Sequence, residues 1–273
     1  MLKWILLLAG LGLIYLWIKS KGRAAPVEKT KAKTKTQTPA PVITEPEEIR
    51  PCRYCGVHLP KSEGVIEEDR FYCSGAHRDA LDSAGWLGSA VWRPSPNFDA
   101  RPNGAGIDLV VLHHISLPPG QFKTQNSTQY IVDFFQNQLD PEAHPYFAEI
   151  ADQQVSSHFL IARSGRVIQF VSTQNRAWHA GASQFEGRER CNDFSLGIEL
   201  EGDGDSPFED AQYRALQELI SQLQLQNSDA CFAGHSDIAP GRKTDPGIQF
   251  DWARFQKDNR LHSEKLPFGL TSR

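Results

Sequence analysis

The stretch DLVVLHHI (residues 108–115) is apolar from Leu109 until it reaches His113. An unbroken run of leucine and valine of this length is typical of a strand that is buried on both faces of a sheet. The segment FSLGIELEG (194–202) has the same character and ends in Glu199 and Glu201. Both segments therefore predict buried strands of an α/β or mixed protein, with His113 near the end of the first strand.

Strand and helix patterns alternate around these two segments. The segment SHFLIARSGRVIQFVS (157–172) predicts two strands joined by a Ser-Gly turn. The segment SPFEDAQYRALQELISQLQ (206–224) predicts an amphipathic helix with Ser206 as its N-cap, Pro207 in its first position and Glu209 completing a capping box. This order of elements predicts a mixed α/β fold in which helices flank a central mixed β-sheet.

The composition excludes some classes of protein. The chain has 273 residues, of which 23% are charged, and its formal net charge is −4. That balance gives no basic field and argues against nucleic acid as a partner. Five cysteines are too few for a disulfide scaffold in a chain of this length.

The N-terminus MLKWILLLAGLGLIYLWIKSKGR carries an uninterrupted apolar run from Trp4 to Ile18. The run predicts a transmembrane anchor over residues 1–18, at the short end of the ~17–25 residues that a spanning helix needs. A cleaved signal peptide is the alternative, although no small-x-small cleavage site follows the run directly. Residues 19–50, rich in lysine, threonine and proline, are interpreted as a flexible linker.

Lysine and arginine residues are concentrated directly after this apolar run. The positive-inside rule then places the bulk of the chain on the cytoplasmic side of a membrane. The sequence therefore predicts a single-pass inner-membrane protein that faces the cytoplasm, with a periplasmic orientation as the alternative.

A cysteine cluster follows the linker, in CRYCGVHLPKSEGVIEEDRFYCSGAHRDA. Cys52 and Cys55 form a C-x-x-C pair, and Cys73 and His77 form a C-x-x-x-H pair further on. Three thiolates and one imidazole complete a tetrahedral structural zinc site, and a small module with little core needs such a metal to fold. A redox C-x-x-C is the alternative, but it leaves the second pair unexplained. We interpret residues 51–82 as a zinc-ribbon-like module.

The stretch GHSDIAPGRKTDPG (234–247) is rich in glycine and proline and holds His235 and Asp245 close together. With His113 these residues form a set that binds zinc and leaves one coordination position for water. From spacing alone an alternative stays open for each residue. A histidine at a strand end is often a hydrogen-bonded structural residue, and an aspartate before Pro-Gly often forms a turn.

Longer blocks of sequence extend these observations: VVLHHISLPPGQF, DPEAHPYFAEI, RAWHAGASQFEGRERCNDFSLGIELEGD and GHSDIAPGRKTDPGIQFDWARF. Together they resemble the AmpD-type N-acetylmuramoyl-L-alanine amidases, from about Gly85 to Phe255. The resemblance implies a zinc-dependent amidase with a mixed β-sheet and flanking helices. It also implies the bond that is cleaved, which is the amide between the lactyl group of N-acetylmuramic acid and L-alanine in the 1,6-anhydromuropeptides of cell-wall recycling.

The resemblance also implies roles for single residues. It gives His113, His235 and Asp245 as the zinc ligands. It gives Glu199 as the group that moves a proton from water to the leaving amine, and Lys243 as the group that stabilises the oxyanion.

Four further residues in the matched blocks are predicted to contact substrate: His114, Trp178, Arg190 and Arg242. The two arginines suit the carboxylates of a stem peptide, with solvated surface charges as the alternative. The tryptophan suits the wall of a sugar or peptide site, with a place in the core as the alternative. His114 stands where the family carries asparagine. Because adjacent strand residues point to opposite faces, only one of His113 and His114 is expected to be a ligand.

These predictions place the amidase domain at residues 85–260 and a C-terminal tail at residues 261–273. A recycling amidase with an anhydromuropeptide substrate is favoured over a periplasmic amidase of intact peptidoglycan and over a non-catalytic peptidoglycan-binding module. The complete ligand set, together with Glu199 and Lys243, argues against a binding module. We expect one catalytic zinc, one structural zinc and a contact with the inner membrane.

Overall fold

The computed structural model describes residues 47–270. The predicted anchor (1–18) and nearly all of the predicted linker (19–50) lie outside the described residues. Within residues 47–270 no helix is long and apolar enough to cross a membrane, since the longest, Asp210–Gln226, has 17 residues and a polar face. The predicted inner-membrane location, in either orientation, is corrected on this finding, and no described residue supports the predicted contact with the membrane.

The strands among the described residues are short except for two. They are β1 (Ile49–Pro51), β2 (His58–Pro60), β3 (Val65–Glu67), β4 (Arg70–Tyr72), β5 (Val91–Trp92), β6 (Phe98–Ala100), β7 (Leu109–Ile115), β8 (Phe159–Ile161), β9 (Val167–Gln169), β10 (Asn175–Ala177), β11 (Gln184–Phe185), β12 (Arg188–Glu189), β13 (Ser195–Glu201) and β14 (Cys231–Gly234). The two long strands, β7 and β13, are the two buried strands that the sequence predicts.

Helices occur between and after these strands. They are α1 (Gly75–Asp79), α2 (Ser127–Phe135), α3 (Pro145–Ile150), α4 (Asp210–Gln226), α5 (His235–Ile238) and α6 (Trp252–Asp258), with single turns of 3-10 helix at Lys61–Glu63, Cys191–Asp193 and Ser263–Lys265.

Six strands form the central sheet, in the order β14-β7-β13-β8-β9-β5. Strands β14, β7, β13 and β8 run parallel, whereas β9 is antiparallel to β8 and β5 is parallel to β9. The predicted central mixed sheet is therefore confirmed. The remaining strands form two-stranded sheets, which pair β1 with β2, β3 with β4, β6 with β10 and β11 with β12.

Alternation along β7 sends side chains into different parts of the core. Val110 and Leu112 join the apolar cluster that also contains Leu216 and Leu219 of α4. Val111 joins a separate cluster on the other face. His113 follows Val111 at the same period of two, so its side chain leaves the strand on the face opposite to α4. The long helix therefore covers one face of the sheet, and His113 lies on the other face, beside a separate apolar cluster.

Helix α4 begins later than the sequence predicts. Glu209 is its N-cap, and the N–H of Glu209 donates to the side chain of Gln212 at 3.0 Å in a capping box. Ser206 instead donates its N–H to the carboxylate of Asp203 at 2.8 Å. The predicted cap at Ser206, with Pro207 as the first helical residue, is wrong because Asp203 folds these residues into a turn of their own.

The cysteine-bearing segment packs against the β5 edge of the sheet. The guanidinium of Arg70 donates to the carbonyl oxygen of Ala90 at 2.8 Å and lies 4.0 Å from the centre of the Trp92 ring. At the other end of the chain, Leu261 and Leu266 are buried in the core under α4. The described residues fall within one compact unit. Buried contacts therefore cross both of the domain boundaries that the sequence predicts.

Candidate metal centre and active site

Three neighbouring parallel strands end at the same edge of the sheet and bring polar residues together there. In the register of β7 and β13, His113 lies beside Glu199. In the register of β14 and β7, Gly234 lies beside Leu112, so that His235 comes next to His113. Because the carboxyl ends of parallel strands share one edge, residues from distant parts of the sequence converge at this point.

His113, His235 and Asp245 form a buried cluster whose ligand atoms lie within 4.8 Å of one another. Asp245 Oδ2 is 2.7 Å from His113 Nδ1 and 3.0 Å from His235 Nδ1. The loop after α5 returns Asp245 to the strand end, where its carbonyl accepts from the N–H of Ser236 at 2.8 Å. Two imidazoles and one carboxylate that face one point are the donor set of a three-ligand zinc site.

Burial and mutual contact set the charge of this cluster. Burial, followed by the neighbouring His235, lowers the pKa of His113 to about 4. Burial alone would raise the pKa of Asp245, but the hydrogen bonds with His113 and His235 outweigh it and hold that pKa below its ordinary value. At neutral pH the cluster therefore offers neutral His113 and an ionised carboxylate, which are the forms that ligate a metal.

Glu199 lies beside this cluster and is only 9% exposed. Its Oε2 meets no hydrogen-bond partner among the described residues. Burial, and then the negative charge of Asp245, raise the pKa of Glu199 well above its ordinary value, against the opposing charge of Lys243. A buried polar group without a partner costs stability, so its presence here marks Glu199 as a candidate proton carrier.

A cavity of about 350 Å³ opens over the cluster. Glu199 and Lys243 line it, together with His114 and Trp178. Apolar and aromatic side chains form much of the remaining wall, among them Leu117, Phe134, Tyr146, Ile150 and Val155. The predicted ligands, proton carrier and cation are thus brought to one place. His114 lines the cavity but lies outside the cluster, so His113 is the histidine of this pair that belongs to the candidate ligand set.

The two arginines that were predicted to bind substrate are placed differently from each other. Arg190 does not line this cavity, and its side chain is 69% exposed and 3.5 Å from Asp193. This position favours the alternative interpretation of Arg190, a solvated surface charge. Arg242 lies next to the site, but its guanidinium donates to the backbone carbonyls of Ala180 and Ala182 at 2.7 Å and 2.6 Å.

Cys52, Cys55, Cys73 and His77 form a second cluster whose ligand atoms also lie within 4.8 Å of one another. The Sγ atoms of Cys55 and Cys73 are 3.8 Å apart, and Cys73 Sγ is 3.0 Å from His77 Nδ1. None of these cysteines forms a disulfide. A separation of about 3.8 Å is the edge of a tetrahedron whose zinc–sulfur bonds are about 2.3 Å long. The thiols are thus spaced as ligands of one tetrahedral ion.

Comparison with known proteins names the fold and the chemistry of the larger site. Residues 103–248, more than half of the chain, match the N-acetylmuramoyl-L-alanine amidase family, Amidase_2. The chain belongs to this family. The matched range contains the cluster of His113, His235 and Asp245 as well as Glu199 and Lys243. The predicted amidase activity is confirmed by this membership.

Individual relatives of this amidase support a closer relationship. It is similar to the 1,6-anhydro-N-acetylmuramyl-L-alanine amidase AmpD of Haemophilus influenzae, with 54% identity over 164 residues, 59% of this chain and 87% of the relative. It is 51% identical to AmpD of Escherichia coli (strain K12) over 174 residues, 63% of this chain and 93% of the relative. A crystal structure of a selenomethionine AmpD derivative shares 48% identity and a TM-score of 0.62, covering 64% of this chain and 97% of that chain. The AmpD-type resemblance is therefore confirmed.

The amidase contains one contact to the cluster that was not predicted from sequence. His179 Nδ1 is 3.0 Å from His113 Nε2. The His179 ring fills the space beside Gly197, where a Cβ would lie only 2.6 Å from His179 Cγ. A glycine inside a buried strand is the sequence signal for such a close approach, and Gly197 in FSLGIELEG carries that signal.

Proposed function

We propose that the chain is a zinc-dependent amidase that hydrolyses the amide bond between 1,6-anhydro-N-acetylmuramic acid and L-alanine in muropeptides of peptidoglycan recycling. One observation carries this proposal: a single cavity is lined by the cluster of His113, His235 and Asp245 and also by Glu199. The carboxyl of Glu199 is buried, and its Oε2 has no hydrogen-bond partner among the described residues. Family membership supports the reaction, and similarity to AmpD proteins supports the substrate class.

The residues of the cluster fit a zinc ion by their chemistry. His113 and His235 offer imidazole nitrogens, Asp245 offers a carboxylate oxygen, and the open side of the cluster is the cavity. Zinc held by these residues supplies a Lewis acid, which polarises the scissile carbonyl and makes a water molecule more acidic.

Glu199 carries the proton in this mechanism. Its carboxylate takes a proton from the attacking water and then delivers that proton to the nitrogen of the leaving L-alanine. A raised pKa suits both steps, because a carboxyl whose pKa lies nearer to neutral pH is a better base and a usable acid. The absence of a fixed partner on its Oε2, among the described residues, leaves that oxygen available for the exchange.

Lys243 and the cavity wall act on the rest of the substrate. Lys243 lines the cavity as a cation and stabilises the negative charge that develops on the carbonyl oxygen. Trp178 and His114 line the same cavity and are proposed to contact the muramyl or peptide part of the substrate. Arg242 is proposed to act on the neighbouring loop, through its bonds to Ala180 and Ala182.

The cysteine cluster is proposed to hold a second, structural zinc. Cys52, Cys55, Cys73 and His77 supply four protein ligands, which close the coordination of a tetrahedral ion and leave no position for substrate. The segment folds as short hairpins against the β5 edge with little core of its own, so a metal would supply much of its stability.

The test of the proposed function compares two substrates. The zinc-loaded full chain is incubated with an anhydromuropeptide and, separately, with intact peptidoglycan sacculi, and mass spectrometry identifies the products. We expect the anhydromuropeptide to yield a stem peptide with a free L-alanine amino group. Cleavage of sacculi alone would replace the proposal with an amidase of intact peptidoglycan, and no cleavage of either substrate would leave a binding module.

Two aspartate-to-asparagine variants, one in the cluster and one outside it, test whether the reaction depends on the cluster. Asp245→Asn should lose the zinc of this cluster and the product together. Asp205→Asn makes the same chemical change at an exposed position on the loop after β13 and should keep both. Equal activity of the two variants would contradict the assignment of Asp245.

A further inference from the structure

The segment His179–Ala180 lies against the outer ring nitrogens of both proposed ligand histidines. His179 Nδ1 is 3.0 Å from His113 Nε2. The carbonyl oxygen of Ala180 is 3.0 Å from His235 Nε2. Two adjacent residues thus contact the two imidazoles on the edges that face away from Asp245.

The position of Asp245 fixes which ring nitrogens face the metal. Asp245 Oδ2 contacts Nδ1 of His113 and Nδ1 of His235. A neutral imidazole carries one proton, so a ring that ligates through Nδ1 carries that proton on Nε2. His235 then donates from Nε2 to the carbonyl of Ala180, and His113 donates from Nε2 to His179 Nδ1.

The same reasoning fixes the tautomer of His179. Because its Nδ1 accepts from His113, its own proton must lie on Nε2. The Nε2 atom is 3.1 Å from Ser195 Oγ, which accepts that proton. When both proposed ligand histidines present Nδ1 to a metal ion, every donor in this chain of contacts therefore meets an acceptor.

The fold holds this segment in place. The side-chain oxygen of Asn192 accepts from the N–H of His179 at 3.2 Å and from the N–H of Ala180 at 2.8 Å. Gly197 leaves room for the His179 ring, since a Cβ at that position would collide with it. The segment is thus fixed from its backbone side and from its ring side.

We propose that His179 is a positioning residue for the metal centre, which holds His113 in the tautomer and orientation that ligate zinc, and that Asn192 positions His179 and Ala180 for this task. Partners of the outer ring nitrogen are known to tune ligand histidines in this way. The inference rests on the proposed zinc site, and it adds to that site the residues that prepare it.

The experiment follows the imidazole nitrogens of the full chain by NMR, with histidine labelled by ¹⁵N. Zinc is added through a metal buffer, and the signals of His113 and His235 report occupancy of this cluster separately from the cysteine cluster. In the wild type, zinc should shift the Nδ1 signals of both ligands, and His179 should carry its proton on Nε2.

Substitutions then distinguish a positioning role of His179 from a role in the stability of the fold alone. His179→Phe should weaken zinc binding at His113 by roughly 10–100-fold, the range typical for lost partners of ligand histidines. His179→Gln, whose carbonyl oxygen can still accept a hydrogen bond, should recover part of that loss. The matched control is His158→Phe. His158 is a buried neighbour whose ring centre lies 5.8 Å from that of His179, and its ring nitrogens form hydrogen bonds with Gly197, Asn175 and Arg101. This control should lower stability and leave zinc affinity unchanged.

The outcomes are distinct from those that test the proposed function. An unchanged zinc affinity in folded His179→Phe protein, or a proton on Nδ1 of His179 in the zinc-bound form, would overturn the positioning role. If His179→Phe does not fold, Asn192→Ala at its half-buried position serves instead, with a loss of up to about tenfold expected and no loss as the contradicting result. If wild-type His113 and His235 do not respond to zinc at all, the proposed function itself fails.

Discussion

The two clusters of potential metal ligands lie towards opposite edges of one sheet and are built differently. At the ends of β14, β7 and β13, the larger site offers three ligands, a buried unpartnered carboxyl and a cavity. The segment packed against β5 offers four ligands, three of them thiols, on short two-stranded sheets. The first arrangement leaves room for a reacting molecule, and the second encloses an ion completely.

This difference predicts whether a substitution at each cluster changes the reaction rate or the stability. A site held by parallel strands of a large core keeps its shape when one polar group is replaced, so such a change should act on the rate. A small segment with little core depends on its cross-links, so loss of a ligand there should act on stability. The comparison fails if rate and stability respond together at either cluster.

The largest effect is expected at the carboxyl beside the histidine cluster. Glu199→Gln keeps the shape of the side chain but cannot take a proton from water. We expect kcat to fall by ~10²–10⁴-fold, the usual range for a lost general acid–base group. Zinc content and the unfolding midpoint should stay close to those of the wild type. Steady-state kinetics with metal analysis checks this result.

The control for Glu199 lies two residues away on the same strand. Glu201 accepts from Ser127 Oγ at 2.7 Å and from Thr128 Oγ1 at 2.8 Å, so its role is structural. Glu201→Gln should lower stability without a selective fall in kcat. An effect of Glu199→Gln on KM alone would assign that residue to binding instead of chemistry.

At the other edge, the expected effect is on stability. Cys73→Ser removes a thiolate from the cysteine cluster, and we expect the free energy of unfolding to fall by more than about 4 kcal/mol, as for other losses of a structural metal. The zinc content should fall by one ion per chain, while kcat below the unfolding midpoint stays unchanged. Chemical denaturation and metal analysis of the full chain check both parts.

A cysteine outside both clusters provides the control. Cys231 Sγ lies 3.8 Å from the carbonyl oxygen of Glu264, and Cys231→Ser should keep the zinc content of the wild type. If Cys73→Ser retained the metal and stability of the wild type, the structural zinc would be ruled out. A large fall in kcat would mean that the segment shapes the active site across the sheet.

A similar but smaller rate effect is expected from the cation of the cavity. Lys243→Met should lower kcat by ~10²–10³-fold, the range for the loss of one oxyanion-stabilising donor. Lys123→Met, an exposed lysine beside Phe122, should have no effect on kcat and serves as the control. A rise in KM with kcat intact would move Lys243 from chemistry to substrate binding.

The sequence predicted the sheet because its signals are local. The apolar runs of β7 and β13 have no other stable place than a covered sheet, and they appear in the structure within a residue of their predicted bounds. The start of α4 was mispredicted because the capping signal at Ser206 competes with the Asp203 turn directly before it. Propensity alone does not rank two adjacent turn formers.

Only part of the candidate site could be predicted from the sequence, and that part came from family resemblance instead of from local signals. Sequence blocks that resemble the amidase family identified the proposed ligands and catalytic residues, which are His113, His235, Asp245, Glu199 and Lys243. The order of these blocks along the chain is the order in which the family's site residues occur. The contact of His179 with His113 depends on the packing of the segment after β10 over Gly197, which no spacing rule encodes. The engagement of Arg242 by backbone carbonyls was equally hidden, because such carbonyls leave no mark in the sequence.

The smallest expected effect is at Arg242, and it distinguishes two roles. The sequence predicted that Arg242 binds a stem-peptide carboxylate, whereas its guanidinium donates to the carbonyls of Ala180 and Ala182. Ala180 also accepts from the proposed ligand His235, so loss of Arg242 should loosen that loop. We expect Arg242→Gln to lower kcat/KM by about tenfold or less, because hydrogen bonds of an exposed arginine contribute little net free energy.

The measurement uses two substrates, an anhydromuropeptide with its full stem and a truncated one that ends at an L-alanine amide and so lacks the stem carboxylates. If Arg242 braces the loop, both substrates should lose the same factor, because the defect lies in the enzyme. If Arg242 binds a stem carboxylate, only the full substrate should lose affinity. Arg190→Gln, at a side chain that is 69% exposed and does not line the cavity, should leave both substrates unaffected and thereby separates this effect from a general change in surface charge.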